Sequence, residues 1–135
     1  MTSGKFSFNS RLYLQLAIAV FGLVPIAAGA AGMIHGGDMI GTANTGISLD
    51  SHIRYLSGIL FGIGIGFWSG IPRIEHMTAR FRLLTFLVFI GGIMRLAGVV
   101  FKGIPSDGMM FGLGMELVVT PLLCLWQSRV AARFT

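Results

Sequence analysis

The sequence predicts an all-α membrane protein, a bundle of four transmembrane helices. Its 135 residues are 54% hydrophobic and 11% charged, whereas roughly a quarter of the residues in a soluble domain are charged. The mean hydropathy is +0.81. Apolar runs at about residues 12–34, 53–71, 83–101 and 109–127 each approach the roughly 20 residues that a helix needs to cross the hydrocarbon core.

The first run also has features of a secretory signal, because basic residues precede an apolar stretch that contains the small-residue segment AAGAAG. The run is longer than the apolar core of a signal peptide, so we interpret it as a retained helix. A chain of this length suffices for one compact domain and is too short for two ordinary ones. We therefore expect a single transmembrane domain over residues 1–135.

Turn-forming residues support the helix boundaries. Asp50 or Ser51 is expected to cap the start of the second helix, and Pro72 follows its end. The segment KGIPSDG predicts a tight turn between the third and fourth helices. The link PRIEHMTARFR is interpreted as an interfacial segment, with Phe81 at its edge and His76 in solvent.

Basic residues fall mainly on one side of the predicted membrane. By the positive-inside rule, this bias places both termini in the cytoplasm and the loops around Asn44 and Ser106 outside, where the only basic loop residue is Lys102. The formal charge of +5 then belongs mainly to a cytoplasmic rim that matches anionic lipid head groups, and no motif predicts nucleic-acid binding. The rim residues are Lys5, Arg11, Arg73, Arg80, Arg82, Arg129 and Arg133.

Three charged residues, Arg54, Arg95 and Glu116, lie inside the predicted helices, and each shares a helix face with small residues. Membrane helices approach one another most closely at such faces. The charges are therefore predicted to point into the bundle, away from lipid. The small residues are Gly22, Ala28, Gly29 and Gly32 in the first helix, Gly58, Gly62, Gly66 and Gly70 in the second, Gly91 and Gly98 in the third, and Gly112 and Thr120 in the fourth.

The three charges are expected to be partners. An unpaired charge at the centre of a membrane helix costs roughly 2.5 to 3.5 kcal/mol, and the helical rise places all three roughly 5 to 12 Å below the outer boundary. Glu116 follows Arg95 through a short turn, which predicts that these two residues neutralise each other. Together with Arg54, they leave an excess of positive charge if Glu116 is ionised.

That excess charge indicates an anion site, because guanidinium groups bind carboxylates and phosphates through paired hydrogen bonds. The ligand would be a lipid phosphate or a small organic acid that enters from the outer side. In two alternatives, the charged residues only lock the helices together, or Glu116 carries a proton or coupling ion. The predicted ligand-binding residues are Arg54, Arg95 and Glu116, with Tyr55 and His52 near the mouth.

Other chemistry has weaker support. Histidines and carboxylates that zinc or copper could use bracket the outer loop, but their spacing is not diagnostic, and we expect neither a metal nor a cofactor. Cys124 is the only cysteine, so no disulfide can form within the chain. The serines lack a convincing base and orienting carboxylate, so nothing demands an enzyme. The loop residues are His35, Asp38, Asp50 and His52.

Four short motifs resemble the small bacterial membrane proteins grouped as domain-of-unknown-function family 4345. They are RYLSG at the head of the second helix, GGIMRLAG late in the third, KGIP in the following turn and GMELVVTP in the fourth. The resemblance covers about residues 12–126 and implies a four-helix bacterial inner-membrane protein, with no known activity. The matching motif positions are Arg54, Arg95, Gly103, Pro105 and Glu116.

These observations lead to functional hypotheses of different classes. The leading one is a binding or transport-related module with an anionic-ligand or lipid-headgroup site in the outer half of the bundle. The alternative is an accessory or assembly subunit of a larger membrane complex, with a purely structural Arg/Glu cluster. A membrane enzyme similar to the four-helix glutathione-handling family matches only in size and helix count. We also expect self-association or docking on a partner subunit, because the second helix has more glycines than one neighbour requires.

Overall fold

Most of the chain is helical in the computed structural model, which describes residues 2–41 and 46–135. The described residues contain no β-strand, so the all-α prediction is confirmed for them. The α-helices are α1 (Thr2–His35), α2 (Ile47–Ser69), α3 (Thr78–Lys102), α4 (Asp107–Gly114) and α5 (Thr120–Ala131). Short 3₁₀ turns, Gly36–Ile40 and Ile71–His76, lie on either side of α2, and a π-turn, Met115–Val119, joins α4 to α5.

Three helical segments are long and apolar enough to cross a membrane, as judged by length and composition over the described residues: Phe8–Ile40, Thr78–Lys102 and Asp107–Ala131. The prediction of four such segments is therefore confirmed only in part, because α2 is not among them. With 23 residues, α2 is long enough, so the difference lies in its hydropathy. Its first half contains Asp50, His52 and Arg54, and glycines dilute the apolar residues of its second half.

Each helix begins before the apolar run that predicted it, because polar residues extend a helix without raising its hydropathy. The clearest consequence is at α2, which starts at Ile47 after Gly46. Asp50 and Ser51 are therefore not caps, and Asp50 lies in the first turn, where a carboxylate interacts favourably with the helix dipole. The predicted outer loop around Asn44 lies outside the described residues.

One compact unit comprises residues 1–15 and 72–135, which we call the split unit. Within it, α3 packs against α5 and the π-turn. Its fully buried side chains include Leu14, Ile74 and Phe81. Phe81, predicted at the edge of an interfacial segment, is completely buried against the protein, whereas His76 is exposed as expected.

The second compact unit comprises residues 16–71, which we call the α1–α2 unit. The predicted small-residue face of α1 is confirmed at three buried glycines. A Cβ atom at Gly29 would lie 2.6 Å from the backbone nitrogen of Phe61, while one at Gly22 would meet Trp68 and one at Gly32 would meet Ser57. Only glycine permits this approach of the two backbones.

The glycine stripe of α2 packs differently from the prediction. A Cβ atom at Gly58 or Gly62 would meet nothing within 4 Å, whereas one at Gly64 would lie 2.6 Å from Ile26. Gly64 therefore provides the contact with α1, and the face that carries Gly58 and Gly62 is open within this unit.

Candidate functional site

Arg95 on α3 and Glu116 on the π-turn form the pair that the sequence predicts. Arg95 Nε donates a hydrogen bond to Glu116 Oε2 at 3.0 Å, and Arg95 Nη2 donates one to Oε1 at 3.1 Å. This two-point geometry is the strong form of an arginine–carboxylate contact. The pair therefore holds one edge of the guanidinium in a fixed orientation.

Gly92 allows α3 to approach the π-turn closely enough for this contact. A Cβ atom at Gly92 would lie 2.8 Å from Glu116 Cβ and 2.8 Å from Leu117 Cδ2. Gly91 and Gly98, the predicted small neighbours of Arg95, have open space around them instead. The predicted neighbour Gly112 does lie beside the pair, since a Cβ atom there would be 4.0 Å from Arg95 Cζ.

The π-turn results from the local sequence around Pro121. A proline inside a helix offers no backbone N–H and its ring displaces the carbonyl four residues earlier, so an α-helical bond from residue 121 to residue 117 cannot form. Immediately before it, the Thr120 backbone N–H bonds to the carbonyl of Met115, five residues earlier, and Thr120 Oγ1 donates to the same carbonyl at 2.8 Å. Thr120 is therefore bonded to Met115 through both its backbone and its side chain. Turns of this kind inside α-helices are frequent at functional sites.

The Arg95 side chain is 34% exposed and that of Glu116 is 16% exposed. Both hydrogen bonds to Glu116 use the Nε and Nη2 side of the guanidinium, and among the described residues Nη1 has no recorded acceptor. Glu116 thus occupies the Nε and Nη2 side of a guanidinium whose side chain is about one third exposed.

Arg54 has different partners, all within the α1–α2 unit. Its Nε donates to Asp50 Oδ2 at 2.8 Å, and its Nη1 donates to the carbonyls of Met33 and Ile34 at 2.7 and 3.0 Å. Those carbonyls belong to the last turn of α1, and the last carbonyls of an α-helix have no α-helical N–H partner. Arg54 therefore caps the C-terminus of α1, where a cation is also favoured by the helix dipole.

Asp50 fastens the turn that follows α1. Its Oδ1 accepts a hydrogen bond from the backbone N–H of Gly37 at 2.8 Å. Gly36 has a φ of +55°, and a Cβ atom there would meet the Asp50 carboxylate and the Arg54 guanidinium. Glycine is thus required at residue 36 both by conformation and by space. The predicted excess of positive charge counted Arg54, Arg95 and Glu116 but not Asp50. Asp50 is the carboxylate partner of Arg54.

The two remaining predicted site residues lie on α2 and are exposed. The side chain of Tyr55 is 65% accessible, and His52 is also at the surface. Within the ranges 2–41 and 46–135, no group of three or more histidine, cysteine, aspartate or glutamate side chains is arranged to hold a metal ion.

An ion pair in the split unit was not predicted from the sequence. Arg11 Nε donates to Glu75 Oε2 at 2.7 Å, and Arg11 Nη2 donates to the carbonyl of Pro72 at 3.1 Å. The hydrogen bond from Arg11 holds the pKa of Glu75 below its ordinary value, against the opposing effect of burial. Arg11 had been interpreted only as a rim charge, and the one available signal was that Glu75 is the sole acid of the link.

Gln127 forms a second missed contact in the same unit. Its side chain is completely buried. The amide nitrogen donates to the carbonyl of Ile74 at 2.7 Å and to Thr78 Oγ1 at 3.0 Å, so α5 is tied to the link and to the start of α3. Periodicity gave no signal for this contact, because Gln127 was the last residue of the predicted fourth helix.

The fold and the site define a class of small all-helical proteins that have helices apolar enough to cross a membrane and an arginine–glutamate pair within them. Residues 13–127 match the model of the domain of unknown function DUF4345, and the chain belongs to that family. The resemblance seen in its short motifs is thereby confirmed. No curated protein and no solved structure matches the chain.

Proposed function

We propose that this protein is a membrane-embedded binding module that holds an anionic ligand, a lipid headgroup or a small organic acid, on Arg95. The observation that carries the proposal is the arrangement of Arg95, whose guanidinium Glu116 binds through Nε and Nη2 while the side chain as a whole is 34% exposed. A pre-oriented guanidinium binds a phosphate or carboxylate with little further ordering. Glu116 is the positioning residue, and it also offsets the charge of Arg95 within an apolar helix.

In this proposal, Arg54 stabilises the fold and does not contact the ligand. Its hydrogen bonds to Asp50 and to two carbonyls of α1 account for its presence without an anion. Tyr55 and His52 are exposed on the same helix and stay candidates for the rim of the site.

The proposed topology has four membrane crossings, with α2 as the second, both termini in the cytoplasm and the chain in a bacterial inner membrane. At 23 residues, α2 is about 35 Å long, against roughly 30 Å for the hydrocarbon core. Its bonded partners lower the cost of placing Arg54 in the membrane, which supports a crossing despite the modest hydropathy. The seven-to-one bias of basic loop residues supports the orientation.

Cysteine accessibility in intact cells tests this topology. After Cys124→Ala removes the native thiol, a cysteine placed at residue 44 or 106 should react with a membrane-impermeant maleimide. Reaction only after permeabilisation would overturn the proposed orientation.

Ligand-induced stabilisation tests the binding role. Inorganic phosphate and succinate, which carry no acyl chain, should be added separately to the purified protein, and at least one should raise the melting temperature. Saturation at about 100 times Kd corresponds to about 2.7 kcal/mol. Arg95→Met should abolish the effect, and Lys102→Met, which removes an exposed cation from the same end of α3, should preserve it. An equal response in Arg95→Met would exclude Arg95 as the ligand contact.

The second candidate is an accessory or assembly subunit of a membrane complex. One observation favours it: Arg54 and Arg95 each have a carboxylate partner without any ligand. The open face of α2 at Gly58 and Gly62 would then contact a partner subunit or a second copy. A stoichiometric protein partner in gently solubilised membranes, together with no stabilisation by any anion, would favour this function over ligand binding.

A further inference from the structure

An open groove lies along α3 and α5 in the split unit, with a volume of about 320 Å³. Most of its lining is apolar. The residues that line it are Arg82, Thr85, Phe86 and Phe89 from α3 and Pro121 and Cys124 from α5.

Arg82 lies at one end of the groove, and aromatic rings lie further along. Arg82 lies near the start of α3, and Phe89 lies seven residues later, about 10 Å deeper along the helix axis. Because α3 is a candidate membrane span, this direction runs from the membrane surface toward its interior. The groove thus has the polarity of a phospholipid, with a charged head and an apolar chain.

Arg82 also differs from the arginines that have structural roles. Arg11, Arg54 and Arg95 each contact a carboxylate, whereas no ion pair of Arg82 is recorded among the described residues. One turn further on, the Thr85 hydroxyl is buried and has no hydrogen-bond partner within residues 2–41 and 46–135. An occupant with its polar part beside Arg82 would supply an anion to the guanidinium.

We propose that this groove binds one anionic phospholipid, with its phosphate on Arg82 and the start of an acyl chain over Phe86, Phe89 and Pro121. The site is separate from the proposed ligand contact at Arg95, which lies 13 residues further along α3, about 20 Å away along the axis. Substitutions at Arg82 and at Arg95 therefore test the two proposals independently.

Native mass spectrometry of the purified protein with phosphatidylglycerol or phosphatidylcholine measures the lipid preference. Both lipids carry a phosphate, but the choline group of phosphatidylcholine offsets its charge, so a charge-assisted contact with Arg82 predicts that phosphatidylglycerol binds about tenfold more tightly. Arg82→Gln should remove this preference, since the exposed side chain can be replaced without breaking an ion pair. Arg73→Gln, the same charge change at an exposed residue outside the groove, should retain it.

Cys124 provides a second readout, because the only cysteine of the chain lines the groove. In mixed micelles with phosphatidylglycerol, its reaction with a small maleimide should be several-fold slower than with phosphatidylcholine, and Arg82→Gln should remove the difference. The proposal is overturned by equal losses of lipid preference in Arg82→Gln and Arg73→Gln, or by unchanged Cys124 reactivity when the lipid is bound. Protection of Cys124 that follows dimerisation and not lipid content would assign the groove to a second copy of the chain, which also overturns it.

Discussion

Arg11 and Glu75 are 64 residues apart in the chain, yet the guanidinium of one donates to both carboxylate oxygens of the other, with Nε and Oε2 separated by 2.7 Å. Both side chains are largely buried, at 23% and 14% exposure. Arg11 bonds in addition to the carbonyl of Pro72. The pair therefore fastens the N-terminal part of α1 to the link that precedes α3.

This pair predicts a loss of stability in acid. The pKa of Glu75 lies below its ordinary value of 4.5, chiefly because Arg11 donates a hydrogen bond to the carboxylate. Since the folded state holds this proton less tightly than the unfolded state, the stabilisation is complete above about pH 4.5 and is lost as the pH falls through the folded pKa. Glu75→Gln should unfold at a lower temperature at neutral pH and lose less stability on acidification. Melting curves of both proteins from neutral to acidic pH check this prediction. If the melting temperatures of the two proteins fall in parallel with pH, the prediction is contradicted.

A double-mutant cycle measures the Arg95–Glu116 contact. Arg95→Met or Glu116→Gln alone leaves one charged partner in an apolar surrounding, and each should cost roughly 1 to 3 kcal/mol, between the values typical of exposed and buried pairs. The double substitution should cost less than the sum of the two. Reversible unfolding in detergent gives the coupling free energy, and strict additivity would show that the two side chains do not interact in solution.

The neighbouring glycines 91 and 92 offer a matched comparison. Gly92→Ala places a methyl group within 2.8 Å of Glu116 Cβ, whereas Gly91→Ala places one in open space. We expect Gly92→Ala to destabilise the protein and weaken the ion pair, while Gly91→Ala is neutral or stabilising by up to about 1 kcal/mol, because alanine favours a helix over glycine. Thermal unfolding measures the stability of the two variants. Equal effects would contradict the close approach of α3 to the π-turn at Gly92.

Arg54→Met should loosen the end of α1. The substitution removes three hydrogen-bond contacts, one to the Asp50 carboxylate and two to the carbonyls of Met33 and Ile34. Hydrogen exchange at the amides of residues 36–41 should accelerate, because the turn loses the side chain that caps the helix before it. Arg73→Met, at an exposed arginine in the link, serves as the control. Unchanged exchange in Arg54→Met would contradict the capping role.

Hydropathy and loop chemistry predicted the positions of the helices and the pairing of Arg95 with Glu116, because these features follow from local composition and from a short connection. The partner of Arg54 was missed for a related reason. Hydropathy placed the start of the second helix near residue 53, which made Asp50 a cap, whereas the helix begins at Ile47 and puts Asp50 and Arg54 four residues apart on one helix.

Contacts between distant segments could not be obtained from periodicity. The Arg11–Glu75 pair joins residues that no helical repeat relates. Whether Gly92 or Gly91 contacts the π-turn depends on where that segment lies. A single sequence shows only which residues share a helix face.

The π-turn also has a consequence for comparing family members. A turn of this kind contains one more residue than the α-helical turn it replaces, and it absorbs that residue locally. Across Met115–Val119, residues five apart are stacked, as the bonds from Thr120 to Met115 show. A homologue with one residue fewer between the glutamate and the proline would therefore keep both flanking helices in the same rotational phase. Alignments of the family should place a single-residue gap at this point, and should not shift the glutamate out of its column to close it.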